Sequence, residues 1–421
     1  MSEVCVRWTL SLFAIPYFTA FAQPAVPVRE LGPVEAISTE PFKNVFGVRT
    51  LRDGQLLVND GTRRQLIILN SRLELVRVLL DSAAVDGRSY GPRATTIIPF
   101  LGDSTLFVDG PGLSLLVIDP NGQFARVMAA PKARDLPILT YSRSGSDARG
   151  NLVYVGEKPM PKPLPARAGI PVVSAVTPDS APLVRANFET RSVDTIGFIN
   201  QPSTTFTNSV MDENRQMHST KRINPMVTVD EWATLSDGSI AFVRGHDYHI
   251  DWLMPDGRKR SSAKLPFDWK RLTDKDKVAL IDSARAAEEK LLADRKLAVK
   301  ERERQTLDEK ARGIVPSPDP TLEFVPLKEI ADYYPALRRG AARADEDNNL
   351  WILPTTSAQS NAGELIYDVV NNRGELTHRV RVPANRSIAG FGHDGVIYLM
   401  FRDDAGRWHL ERTRMRPVNK S

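Results

Sequence analysis

Short apolar runs separated by polar turns recur along the whole chain, and this recurrence is more informative than any single residue. Six times a turn of small or polar residues is followed by a short apolar run with high β propensity. The copies are Asp53–Val58, Asp103–Val108, Arg149–Tyr154, Asp237–Phe242, Asp347–Ile352 and Asp394–Leu399. A turn-and-strand unit that repeats in this way is typical of a β-propeller.

The spacing of the copies supports this interpretation. The second turn residues of successive copies lie 50, 46, 88, 110 and 47 positions apart. Three of these intervals fit one four-stranded blade of roughly 40–50 residues, and the other two require insertions. We therefore predict an all-β, six-bladed propeller that forms a single domain over residues 23–421. A degenerate seventh blade hidden in the interval of 88 residues is the alternative.

The strands within an interval follow from the same pattern. The first interval predicts strands at Asn44–Leu51, Gln55–Asn59, Gln65–Leu69 and Leu73–Leu79. The second predicts strands at Thr95–Leu101, Thr105–Val108, Ser114–Ile118 and Phe124–Met128. A Pro-Asn-Gly turn at residues 120–122 indicates a tight hairpin, because Asn-Gly readily takes positive φ angles. The last copy offers only three strands, so we expect Val28–Thr39 to complete the last blade as its outer strand.

The turn-and-strand copies and the Asp-Gly or Asn-Gly hairpins resemble the six-bladed propellers of the NHL-repeat and TolB-like kind, over roughly Val28–Pro417. NHL repeats usually carry an Asp just after the buried strand. Asp60 and Asp109 match this pattern, whereas Arg244 and Pro354 stand near that position in later copies. Propellers of this kind include protein-binding and RNA-binding modules, sugar-lactone hydrolases, lyases and dehydrogenases, so the resemblance implies a fold and no single function.

The longest interval contains a helical insertion at residues 272–312, between the fourth and fifth copies. Leu272–Asp276 has the polar cap and acidic first turn that favour a helix start. Helix-forming residues continue to about Glu309 without Gly or Pro. A narrow apolar stripe on this charged helix consists of Leu280, Ala284, Ala287 and Leu291. The insertion is either a surface helix packed against one blade or a partner-docking helix or lid.

Two further segments are predicted to be loops. Lys158–Pro182 contains seven prolines, which block regular structure and favour an extended path. Gln201–Pro225 connects the third and fourth copies, and a long connection in a compact domain is either functional or mobile.

The N-terminus has the pattern of a secretory signal peptide over residues 1–22. Arg7 precedes the apolar stretch Trp8–Phe21, and residues 20–22 form an A-x-A cleavage signature. A buried first strand is the alternative. No other apolar run is long enough to cross a membrane, so we predict a secreted or periplasmic protein with no membrane span after signal removal.

Cysteine and charge narrow the function classes. The only cysteine, Cys5, lies in the segment that is predicted to be removed, which excludes disulfides, thiol chemistry and zinc-cysteine sites in the mature chain. The net charge is +5, but the basic residues are interleaved with acidic ones. Because no basic stripe with aromatic residues stands out, we predict no nucleic-acid partner.

The densest polar constellation is the segment from His246 to His249, in the hairpin after the predicted strand Ile240–Arg244. Two imidazoles near Asp247 could bind a divalent metal, or one of them could act as a general base. On a hairpin a spacing of three does not place both rings on one face as a helix would. Hydrogen-bonded turn histidines are therefore the alternative.

Arg244 stands where other copies carry Asp, at the end of a predicted strand. With Asp230 and Glu231 of the preceding strand it could meet a ligand at the central channel, or it could form a salt bridge between blades. The candidate ligand-binding residues are Arg244, His246, Asp247, His249, Asp230 and Glu231, among which His246, His249 and Glu231 are the metal candidates.

These observations predict an exported propeller that acts as a binding or scaffold module. Its partner would be a protein or small-molecule ligand at the propeller mouth. The alternative is a metal-dependent, lactonase-like hydrolase with its site in the central channel, since lactone-hydrolysing propellers hold a channel metal with Glu, Asn and Asp. The sequence assigns no catalytic residue.

Overall fold

The computed structural model describes residues 26–82, 89–158, 178–211, 217–305, 319–356 and 363–416. The predicted signal peptide lies outside these residues. The described chain is mostly β strand and forms seven sheets, so the predicted all-β class is confirmed.

Six of the seven sheets are built from strands that follow one another in the chain. Sheet I consists of Val45–Thr50, Leu56–Asp60, Gln65–Leu69 and Leu75–Asp81. Sheet II consists of Ile97–Pro99, Thr105–Asp109, Ser114–Ile118 and Phe124–Ala129. The predicted strands of the first two copies are thus confirmed, with ends that shift by one or two residues.

The middle two sheets carry the same order. Sheet III consists of Ser144–Ser146, Leu152–Val155, Ser180–Ala186 and Val193–Asn200. Sheet IV consists of Glu231–Thr234, Ile240–Arg244, His249–Leu253 and Lys259–Ser261. The predicted loop Lys158–Pro182 is wrong at its end, because a strand begins at Ser180 and Pro182 pairs with Phe198. Residues 159–177 of that loop lie outside the described chain.

The last two sheets incorporate the N-terminal segment. Sheet V consists of Ala342–Ala344, Leu350–Ile352, Leu365–Val370 and Leu376–Val382. Sheet VI consists of Arg386–Phe391, Val396–Arg402 and Trp408–Arg414. Ala36–Ile37 pairs antiparallel with the last strand of sheet VI, as predicted. Val28–Glu30 instead pairs parallel with Leu376–Val382 of sheet V, so the N-terminal segment joins two sheets rather than one.

The first strands of the six sheets form a closed cycle of contacts. The first strands of sheets I and II, II and III, III and IV, and IV and V are in contact. The first strand of sheet VI contacts the first strand of sheet I. Between sheets V and VI, Arg343 Nη1 donates to the Ile388 carbonyl oxygen at 2.6 Å. The six sheets are therefore arranged around one common centre, with their first strands innermost.

The core is divided among the interfaces of the cycle. One buried apolar cluster lies between each pair of consecutive sheets in the described chain; Leu57 and Phe107 belong to the cluster between sheets I and II. Between sheets IV and V, Trp252 packs with Leu350. Tyr398 of sheet VI packs with Leu56 of sheet I, which closes the cycle. Each sheet buries both faces only because it has two neighbours.

The seventh sheet and a long helix form a unit that we call the accessory module. The sheet consists of Thr205–Met211, Met217–Ile223 and Thr321–Phe324, and the helix spans Asp274–Gln305. Gln201–Pro225, predicted as a loop, therefore contains two strands. The sequence signal is weak because this hairpin pairs with a strand about a hundred residues later in the chain rather than with a local neighbour.

Only the first part of the helix packs closely. Leu280 and Ile281 contact an apolar cluster that includes Met226 and Ile330. Lys277 is buried, and its Nζ donates to the Ile330 carbonyl at 3.0 Å. Leu291 further along is 59% exposed. No helix of the described chain is long and apolar enough to cross a membrane.

Candidate functional site

A cavity of about 470 Å³ lies inside the cycle of first strands. Sheets I to V, or the segments that lead into them, all contribute to its lining. The contributing side chains include Phe46, Thr96, Ser142, Arg143, Thr234 and Arg343. A site that five sheets share can exist only in the assembled cycle, which is why no local motif indicates it.

Arg143 enters this cavity from the two-residue link between a short helix, Leu136–Tyr141, and the first strand of sheet III. Its Nη1 donates to the carbonyl of Trp232 at 2.9 Å and to the carbonyl of Ala342. These bonds connect sheet III to sheets IV and V and fix the guanidinium. The side chain is still 34% exposed, so a ligand can reach it.

Arg343 lies on the first strand of sheet V, between Ala342 and Ala344. Its Nη1 bond to the Ile388 carbonyl holds it toward sheet VI. In the hydrogen bonds seen among the described residues, both cavity arginines donate only through Nη1. Nε and Nη2 of each are the donors that a planar anion would use.

The carboxylate of this region is Glu231, at the start of sheet IV. It is 5% exposed, and its Oε1 accepts from the Gly340 amide at 2.9 Å. Its Oε2 lies 3.5 Å from Arg143 Nη1. Burial raises the pKa of Glu231, and Arg143 and the Gly340 N–H oppose that rise.

The electrostatics leave an excess of positive charge. Burial lowers the pKa of Arg143, Glu231 opposes this shift, and neighbouring Arg343 adds to it. Two neighbouring guanidinium groups are therefore accompanied by one carboxylate, which contacts Arg143 and whose pKa burial raises. Hydroxyl groups of Thr96, Ser142, Ser144 and Thr234 complete the polar lining. Such a lining suits an anion, because charge-assisted hydrogen bonds to guanidinium are strong where water is partly excluded.

The sequence-predicted residues form a different site at the rim of sheet IV. Arg244 donates through Nε to Asp251 Oδ2 and through Nη1 to Asp230 Oδ2, both at 2.8 Å. Its Nη1 also donates to the Phe198 carbonyl of sheet III at 2.8 Å. The predicted alternative for Arg244 was a salt bridge between blades; both of its ion pairs instead lie within sheet IV, and only its bond to the Phe198 carbonyl reaches sheet III.

Asp230 acts as a backbone cap. Its carboxylate accepts from the amides of Gly245 and Asn200, both at 3.0 Å. Asp60 does the equivalent in sheet I from the opposite strand, where it accepts from the amides of Lys43 and Asn44. Sheet IV carries Arg244 where sheet I carries Asp60. In sheet IV the carboxylate that caps backbone amides is instead that of Asp230.

The histidine segment joins the same rim. His249 Nδ1 lies 2.6 Å from Asp247 Oδ1, and its Nε2 lies 3.3 Å from Asp251 Oδ1. Lys264 approaches Asp247 at 3.5 Å. His246 is exposed. We call Asp230, Arg244, Asp247, His249, Asp251 and Lys264 the rim cluster.

The structure does not bring Glu231 into the rim cluster. Its carboxylate contacts Gly340 and Arg143, whereas that of the adjacent Asp230 contacts Arg244. Over the described residues, no three His, Cys, Asp or Glu side chains are arranged to hold a metal ion. The three metal candidates His246, His249 and Glu231 thus do not form one set of ligands.

The sequence reasoning missed Arg143 and Arg343. The predicted residues all lie in the first two strands of sheet IV or in the segments beside them, where polar side chains interrupt short apolar runs. The available signal lay in the first strands: each first strand directly precedes a turn of the repeat, and Arg343 stands four positions before Asp347. Arg49 has the same offset from Asp53. Such arginines inside a predicted inner strand point to a polar channel.

Comparisons with known proteins find similarity only among solved structures. No protein-family model matches it, and no curated protein matches it in sequence. Among solved structures, it is similar to a Bacteroides fragilis protein that is described as an exported protein. The identity is 8% and the TM-score is 0.41, over 93% of this chain and 99% of the other.

Two enzymes are also similar in structure. Virginiamycin B lyase from Staphylococcus aureus shows 8% identity and a TM-score of 0.35, over 90% of this chain and 98% of the lyase. A gluconolactonase from Xanthomonas campestris, a β-propeller protein, shows 9% identity and a TM-score of 0.36, over 92% of this chain and 98% of the other.

Proposed function

We propose that this protein is an exported, six-bladed β-propeller that binds an organic anion in its central channel. Sheets I to VI would be the blades, of the NHL-repeat or TolB-like kind, and the accessory module would be an insertion outside their cycle. The closed contacts of the first strands and the buried cluster at each sheet interface support six blades over seven.

One observation carries the ligand class. Arg143 and Arg343 both line the same cavity, and the one carboxylate that contacts Arg143, that of Glu231, is buried beside it. An anion would supply the missing negative charge and accept from the outer guanidinium nitrogens. An organic anion is a narrower proposal than the sequence-based expectation of a protein or small-molecule ligand at the propeller mouth.

The alternative, a metal-dependent lactonase, has less support. A divalent cation in the channel needs several oxygen ligands, usually carboxylates. Here two guanidinium groups line the cavity, and their charge would repel such a cation. His249 lies in a hydrogen-bonded network with Asp247 and Asp251, and exposed His246 does not join it in a set of metal ligands.

The proposal is tested by titrating the purified protein with benzenesulfonate in a calorimeter, with neutral benzenesulfonamide as the matched ligand control. We expect the sulfonate to bind and the sulfonamide to bind far more weakly. Arg343→Met should weaken sulfonate binding by about ten- to a hundredfold, the worth of a charge-assisted hydrogen bond.

The matched protein control is Arg244→Met, which removes the rim arginine and should leave sulfonate binding unchanged. Equal binding of the two ligands, or an Arg343→Met variant that binds as well as the parent, would contradict an anion site in the channel. Export is tested separately, by mapping the N-terminus of the protein recovered from its native host.

A further inference from the structure

A second cavity adjoins the arginine cavity and is lined mainly by apolar residues, with the exposed Arg93 as the charged residue of its lining. It measures about 410 Å³ and lies at the edge of sheet II. Its lining includes Pro92, Pro111, Leu113, Leu136 and Pro137, and it shares Thr95 and Thr140 with the arginine cavity. We call it the proline cleft. The shared residues place the two cavities on either side of the same pair of side chains.

The proline cleft presents apolar surface to solvent. Leu113 is 62% exposed, and Pro92, Pro111 and Pro137 are exposed as well. Buried Val108 and Leu136 lie beneath them. Clustered exposed apolar side chains are a cost in water unless something covers them, so they indicate a binding surface.

The cleft is also held in a fixed shape. Leu113 has a φ of +48°, in the left-handed region that a leucine rarely takes, and its amide donates to the Gly110 carbonyl at 3.2 Å. The prolines fix their own φ angles. The hydroxyl groups of Thr95 and Thr140 donate to the carbonyls of Val108 and Leu136, so they do not present free donors between the two cavities.

From the two adjoining cavities we infer that the ligand is an amphiphilic organic anion, with an anionic head at Arg143 and Arg343 and an unbranched apolar tail in the proline cleft. This inference rests on the proposed anion site and adds the tail. Charge complementarity selects the head, and burial of tail methylenes against exposed prolines and Leu113 supplies the rest of the affinity.

A chain-length series tests the inference with the head group held constant. We would titrate the full protein with ethane-, butane- and octanesulfonate and with neutral octanesulfonamide. Since a buried methylene contributes about 0.8 kcal/mol, octanesulfonate should bind at least about tenfold tighter than ethanesulfonate even if only part of the tail is covered.

Two variants locate the tail. Leu113→Asn introduces a polar side chain that tolerates the positive φ, and it should abolish most of the chain-length dependence. Val127→Thr is the matched control, because Val127 is similarly exposed, at 64%, on the outermost strand of the same sheet. That variant should keep the full dependence. Arg343→Met should weaken every sulfonate by the same factor.

The outcomes separate the two proposals. A steep series that Leu113→Asn flattens supports the amphiphile. A flat series with an intact Arg343 effect would overturn the tail and leave the anion site standing, whereas binding of no sulfonate would overturn both. A steep series that Leu113→Asn leaves unchanged would overturn the proline cleft as the place of the tail.

Discussion

The arginine cavity and the rim cluster use the same chemical group for different purposes. In the rim cluster two cations, Arg244 and Lys264, meet three carboxylates, those of Asp230, Asp247 and Asp251. In the cavity two cations, Arg143 and Arg343, lie near each other, and one carboxylate, that of Glu231, contacts Arg143. Carboxylates therefore outnumber cations in the rim cluster, whereas guanidinium groups outnumber carboxylates at the cavity.

This difference separates structural arginines from ligand-binding ones better than position in the repeat does. A guanidinium that pairs with two carboxylates of the fold, as Arg244 does, has its charge compensated within the fold. A fixed guanidinium with unused donors, beside a second one, is a preorganised anion site. The following predictions test that division, in order of expected effect.

The largest effect should come from emptying the cavity of its charge. Arg143→Met and Arg343→Met, combined with Glu231→Gln so that no buried carboxylate is left unpaired, should weaken sulfonate binding by more than about a hundredfold. Calorimetric titration measures the loss, and circular dichroism with a thermal melt checks that the triple variant folds. A folded triple variant that still binds within tenfold of the parent would rule out the cavity as the site, on the usual energy scale.

Asp230→Ala should lower the stability of the protein and leave sulfonate binding unchanged. It removes the acceptor for two amides and for Arg244, so we expect the free energy of unfolding to fall by about 2–4 kcal/mol. Urea denaturation at neutral pH measures this loss. Sulfonate binding of the folded variant should be unchanged, and a binding defect without loss of stability would show that the rim cluster is the ligand site.

Glu231→Gln should tighten binding several-fold and remove its dependence on pH. Because burial raises the pKa of Glu231, the side chain is neutral at low pH and competes least for Arg143 there. Binding of a permanently charged sulfonate should therefore weaken as the pH rises through the raised pKa, and the glutamine variant should stay flat. Titrations between pH 4 and 8 make the comparison. A parent protein whose affinity rises with pH would contradict this role.

The same shift has a consequence for folding. An acid whose pKa is higher in the folded than in the unfolded state stabilises the fold below the unfolded pKa, and that contribution is lost as the pH rises through the folded pKa. Part of the protein's loss of stability with rising pH should therefore disappear in Glu231→Gln, which unfolding titrations at two pH values would detect.

The smallest effect should follow metal removal. Both ring nitrogens of His249 face carboxylates of the rim cluster, so chelation should remove nothing that holds the fold together. We expect the melting temperature with EDTA to equal that without it. A stoichiometric divalent ion whose removal lowers the melting temperature would restore the metal-dependent hydrolase as the leading interpretation.

Much of the fold could be predicted because its signals are local. The turns that mark the copies contain residues with positive φ, such as Gly54, Gly238 and Asn348, and Gly and Asn are the residues that tolerate this conformation. The strands next to those turns are short apolar runs, and their bounds were predicted to within two residues in the first two copies. Local chemistry and global topology agree there.

The site could not be predicted in the same way because it depends on distant pairings. Arg143 and Arg343 are separated by 200 positions and meet only when the cycle of sheets closes. The hairpin of the accessory module was missed for a related reason, since its third strand, Thr321–Phe324, is remote in the chain. Conversely, Arg244 and the histidine segment drew attention because they interrupt a local pattern, and the interruption reflects an internal salt bridge.

The most direct test of this division is a parallel calorimetric titration of Arg343→Met and Arg244→Met with octanesulfonate. We expect Arg343→Met to weaken octanesulfonate binding by about ten- to a hundredfold, and Arg244→Met to bind octanesulfonate as the parent does. Loss of binding in Arg244→Met with normal binding in Arg343→Met would contradict this expectation and move the site to the rim.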